Sequence, residues 1–89
     1  MAVTFKKDPS EVLDYTIRYN KLLKDDTITN STWTTDSGIT TVDSTNTTVS
    51  ATIWLSGGTV DTRYEITNTI TTAQGRTYQR SFYIRCEEK

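Results

Sequence analysis

Cys86 is the chain's one thiol, and no histidine exists anywhere to act as its base. The absence of histidine removes the commonest general base, the Ser–His and Cys–His nucleophile pairs, and the commonest transition-metal ligand. Cys86 also falls on the apolar register of a strand-like segment, three residues from the end, where a thiol reads as buried and inert. Carboxylates remain as candidates for two-carboxylate hydrolysis. Asp25, Asp26, Asp36, Asp43 and Asp61 all lie in or beside turn-forming stretches, and their spacing matches no calcium loop. Gly57-Gly58 lacks the glycine-lysine pattern of a phosphate cradle and has no helix after it, so it reads as a strand terminator. Asn30-Ser31-Thr32 and Asn46-Thr47-Thr48 match glycosylation sequons, which a threonine-rich chain produces by chance. The residues therefore predict no enzyme, no metal site and no cofactor.

Recognition chemistry is the alternative, and here the sequence offers outward aromatics. Trp54 lies between Ile53 and Leu55, and Tyr83 between Phe82 and Ile84, so both face away from the apolar side of their strands. Exposed Trp and Tyr anchor protein interfaces, or are covered by a loop or by the N-terminal segment. Arg63, Arg80 and Arg85 are either interface partners or solvated strand residues. Val3 and Phe5 alternate with Thr4 ahead of Lys6-Lys7-Asp8-Pro9, which makes residues 1–10 an extended arm. Such an arm lies on the domain's own edge, frays, or adds to a partner's sheet.

The elements that hold these residues are strands. Tyr64, Ile66 and Ile70 recur at period two, as do Tyr78, Phe82, Ile84 and Cys86, and Gln74-Gly75 between them supplies a hairpin loop. Upstream, Leu13, Tyr15, Ile17 and Tyr19 share one face of residues 11–19, although Val12, Tyr15, Tyr19 and Leu23 also fit helical spacing. Aromatic and β-branched content favours the strand. Residues 20–26 then form a connection, with Leu22 or Leu23 plugging an end of the core. Ile28 and Trp33 differ by an odd number, so a bulge near Asn30-Ser31 is needed to turn both inward. A turn at Asp36-Ser37-Gly38, a short strand over 39–43 and a polar turn at Ser44-Thr45-Asn46 follow. Residues 47–55 are expected to place Val49, Ala51, Ile53 and Leu55 inward. The count is about six strands, seven with the arm, at the spacing of a sandwich or barrel.

Composition sets the limits. A chain of 89 residues makes one domain, read as residues 11–89 behind the 1–10 arm. A mean hydropathy of -0.56 is low for a free-standing globule, so partner contacts are expected to add stability. Net charge is -1, with dispersed Lys and Arg, which argues against a nucleic-acid footprint. One cysteine permits no internal disulfide, and no apolar run serves as signal peptide or membrane span. Synthesis and folding in a reducing cytoplasm is the corresponding expectation.

Two resemblances sharpen this reading. The run from Leu55-Ser56-Gly57-Gly58-Thr59 to Tyr64-Glu65-Ile66 resembles the fifth-to-sixth strand passage of immunoglobulin and fibronectin-III domains. That likeness implies that Tyr64 ties the corner to backbone and that Trp33 is the core tryptophan, without the antibody cysteine pair. Lys7-Asp8-Pro9, Val12-Leu13-Asp14-Tyr15, Asp26-Thr27-Ile28 and Ser31-Thr32-Trp33 resemble, in order, a family of small phage virion proteins. The likeness continues through Trp54-Leu55-Ser56-Gly57-Gly58-Thr59, Ile70-Thr71-Thr72-Ala73, Gly75-Arg76 and Arg80-Ser81. Members are generally called tail-fibre adaptors. The chain departs from them around Tyr19–Leu23, where further tryptophan is expected.

The expectation is an all-β, immunoglobulin-like antiparallel β-sandwich working as a non-enzymatic virion structural protein. It would join tail or neck to fibre, binding other virion proteins within a symmetric assembly, with no nucleic acid or membrane partner. Val3, Phe5, Trp54, Tyr83, Arg63 and Arg85 are its candidate contacts; Trp33, Tyr64, Gly57, Gly58 and Gly75 are structural. The rival readings are a capsid decoration protein of similar fold and a carbohydrate-binding module stacking sugars on exposed aromatics.

Overall fold

A computed structural model describes residues 3–87. Seven strands and no helix make up these residues: β1 (Thr4–Lys7), β2 (Leu13–Arg18), β3 (Ile28–Thr35), β4 (Ile39–Asn46), β5 (Ser50–Gly57), β6 (Arg63–Thr72) and β7 (Thr77–Cys86). The β6–β7 hairpin forms where period two is cleanest, with Gly75 in the loop at φ +82°. It is the centre of a four-stranded sheet ordered β1-β7-β6-β3, facing a three-stranded sheet ordered β2-β5-β4. In immunoglobulin lettering the two are the A-G-F-C and B-E-D sheets, so this is an immunoglobulin-like sandwich. It is not wholly antiparallel, because β1 pairs parallel with β7, from Thr4 opposite Tyr83 to Lys7 opposite Cys86.

The core lies between the sheets. Ile39, Ile53, Leu55, Tyr64, Ile66, Phe82, Ile84 and Cys86 form one buried group, and Tyr19, Leu23, Ile28, Ala51 and Ile70 form another. Ile17 and Trp33 pack against both. The Ile28–Trp33 conflict is resolved by a register irregularity between Ile28 and Asn30, which places the extra residue at Thr29. Of the two leucines in the connection, Leu23 is buried and Leu22 exposed.

One expected boundary moves. Ser44-Thr45-Asn46 belongs to β4, paired with Ile53, Thr52 and Ala51, rather than to a turn. The turn sits at 47–49, where the Thr47 hydroxyl accepts the N–H of Val49 (3.2 Å) and of Ser50 (3.1 Å). Val49 is consequently an exposed turn residue instead of the inward one its spacing suggested. Helical spacing over 11–19 is not used. β2 alternates half-buried and exposed positions against β5 throughout.

At the passage from β5 to β6, Gly58 sits at φ +101°, and a Cβ there would lie 2.3 Å from the Cys86 sulfur. Only glycine fits both the backbone and the space. Beside it the Tyr64 hydroxyl accepts the Thr59 N–H at 2.9 Å, tying the start of β6 to the loop before it.

Candidate interaction surfaces

The candidate contact residues fall into three places. Trp54 stands on the outer face of the three-stranded sheet, 39% exposed. Its cross-strand neighbours are Asp14 on β2 and Asp43 on β4, so one indole is flanked on both sides by a carboxylate. Tyr83, Arg63 and Arg85 gather on the outer face of the opposite sheet, where Arg63 pairs in register with Arg85. The Arg63 guanidinium carbon lies 4.6 Å from the Tyr83 ring centroid, and the Tyr83 hydroxyl donates to Glu65 Oε2 at 3.3 Å. Arg85 is held by Asp61 (3.6 Å) and Glu87 (3.1 Å), and Lys6 reaches Glu87 at 3.8 Å. This patch is internally charge-balanced, whereas the Trp54 row is acidic.

Val3 and Phe5 occupy the third place, the open side of the sandwich where β1 and β2 are the sheet edges. Phe5 turns toward the interior, with its ring centroid 5.2 Å from Tyr15 and 5.6 Å from Phe82. Burial pushes the Tyr15 hydroxyl up to about 12, as it does that of Tyr19 against the opposing Arg80 charge.

The burial of Asn68 and Lys7 escaped the sequence reading. Asn68 lies on the inward register between Ile66 and Ile70, fully buried, and accepts the Tyr19 hydroxyl at 2.8 Å. Its amide donates to Ser31 Oγ (2.9 Å) and the Thr32 carbonyl (3.0 Å), joining β3 and β6 to the end of β2. Lys7 is fully buried, and its Nζ donates to the carbonyls of Asp8 (2.9 Å) and Gly57 (2.8 Å). Cys86 shares this end of the core; burial pushes its thiol up, against the opposing Lys7 charge. That is an unreactive environment for a thiol.

Asp26 anchors the other end. Its carboxylate accepts the Thr27 (2.9 Å) and Gln74 (3.2 Å) amides and pairs with Arg76 at 3.2 Å. Burial opposes its ionisation, but these bonds and the Thr72 hydroxyl outweigh that cost and hold its carboxyl below the ordinary range. The acid is a loop clamp, tying the connection after β2 to the β6–β7 hairpin. Among the described residues no three His, Cys, Asp or Glu side chains come together to hold a metal ion.

The fold is a threonine-rich immunoglobulin-like sandwich with aromatic and charged outer faces, an architecture that does not by itself fix a function. The family is specific: residues 7–85 match the model of the podophage GP4 fiber-tail adaptor protein gp77 family, and the chain belongs to that family. Comparison with curated proteins returned no match. The matched span takes in all the strands except the first three residues of β1 and the last residue of β7, Cys86.

Proposed function

We propose that this chain is a non-enzymatic structural part of the virion that joins tail or neck to fibre by protein–protein contacts. The observation that carries this is the family match from Lys7 to Arg85, on a sandwich with aromatic residues on its outer faces. Trp54 between Asp14 and Asp43 favours a partner that offers a basic side chain, since an indole face and two carboxylates attract the same cation. The Arg63–Tyr83–Arg85 patch and the β1 edge are the other contact surfaces. Partners are neighbouring virion proteins, copies of the chain in a closed ring among them, with synthesis in the host cytoplasm. Neither nucleic acid nor membrane is a partner in this reading.

Reconstitution tests it. Particles assembled without the chain should carry tails but no fibres, and adding the purified chain should restore fibre attachment. Fibre attachment at the normal level without the chain would overturn the proposal.

A further inference from the structure

β7 is ten residues long, yet β1 pairs only with Tyr83–Cys86. Tyr83 N–H reaches the Val3 carbonyl and Glu87 N–H the Lys7 carbonyl, whereas Cys86 N–H turns the other way to Thr62. By that alternation the amides and carbonyls of Thr77, Gln79 and Ser81 face the β1 side, where no described strand covers them. An uncovered edge of this kind is a template for an added strand.

Directly beneath that edge the sandwich is open. A cavity of about 220 Å³ lies between β1, β2 and β7, with Val3, Phe5, Tyr15, Ile17 and Phe82 giving it an apolar lining. Arg80 stands at its rim, on the same inward register as Phe82 and directly across from Asn68 on β6. Its guanidinium donates to the Gln79 carbonyl at 3.1 Å, and none of the ion pairs among the described residues includes it. A cation with no carboxylate, two residues along a strand from an apolar slot, defines a sequence pattern. An added strand places every second side chain inward.

We infer that this groove takes an extended segment of a neighbouring virion protein, which pairs with the Thr77–Ser81 edge of β7, lays an apolar side chain against Val3, Tyr15 and Ile17 in the cavity, and sets a carboxylate two residues away on Arg80. The inference rests on the adaptor reading and adds the binding mode and the partner's chemistry. Parallel and antiparallel pairing place the acid on opposite sides of the apolar residue in chain order, so charge and the two-residue spacing determine the fit. Arg80 here does for a partner what an inward charge does against unwanted ones, rejecting strands that bring a second cation.

The test uses the full chain bound in turn to the purified tail and the purified fibre of the same virion, with amide exchange at Gln79 as readout. Binding should slow that exchange on the order of 100-fold in one of the two complexes. Arg80→Glu should weaken the same complex by about tenfold or more, with Arg80→Lys nearer the parent and thermal unfolding unchanged for both. Binding that leaves Gln79 exchanging freely, or that Arg80→Glu does not weaken, overturns this inference and leaves the adaptor reading standing. Protection that rises with concentration in the chain alone assigns the groove to a second copy and overturns it too. No binding to tail or fibre removes the adaptor reading and this inference together.

Discussion

β6 and β4 are both long, threonine-bearing strands, and the sandwich treats them oppositely. In β6 every second residue from Tyr64 to Thr72 is buried, whereas in β4 only Ile39 is, with Val42 56% exposed. β6 lies between β7 and β3 under the second sheet; β4 is the edge of the smaller sheet and is paired on one side alone. Buried apolar residues are concentrated on the strands paired on both sides, the central β6–β7 pair and β5 facing it. The edges and outer faces carry fewer buried side chains.

The largest expected effect is at the corner beside the central pair. Gly58→Ala should cost about 3 kcal/mol or more, because the new methyl meets the Cys86 sulfur from a left-handed backbone. Chemical denaturation measures the loss, and adding Cys86→Ala should recover part of it, since the contact is shared. A near-neutral Gly58→Ala would break the picture of a rigid corner.

Asn68→Ala should cost about 2 kcal/mol, because it strands the Tyr19 hydroxyl, Ser31 and Thr32 without their partner. Tyr15 and Tyr19 sharpen the contrast through pH. Their hydroxyls ionise near 10.0 when unfolded and at about 12 when folded, so the stability they contribute is complete below pH 10.0 and declines as pH rises toward 12. Thermal unfolding followed across that range, with tyrosinate absorbance, checks it. Asp26 acts in the reverse sense: its contribution is present above the ordinary carboxylate value of 3.8 and is lost as pH falls below it. Asp26→Asn should flatten that acid limb.

Smallest is Trp54→Ala, expected at about 1 kcal/mol or less in thermal unfolding because the side chain lies on an outer face. A larger loss would make the indole a structural residue instead of a contact one.

What the sequence revealed follows the same divide. The β6–β7 hairpin was legible because its inner face is covered, and coverage imposes alternation. β4 was read only from Ile39 to Asp43, three residues short, because an uncovered edge imposes none. Asn68 was visible by parity, but its meaning depends on Tyr19, which the fold brings from 49 residues away. Lys7 gave no signal at all: its burial requires β1 to lie parallel along β7, beside Cys86 and the Gly57 carbonyl. Arg80's inward register could be counted from Tyr78 and Phe82, while the open edge it guards is a product of where β1 begins. Trp54 was legible as outward-facing; its two aspartates became neighbours only through strand pairing.

The most direct test of the account is a cryo-EM reconstruction of the purified particle, with the copies of this chain located and counted. The account predicts roughly a dozen or fewer copies on a ring at the tail, with density for fibre or tail against the sandwich edges and outer faces. Hundreds of copies spread over the head, or none in the particle, would contradict it.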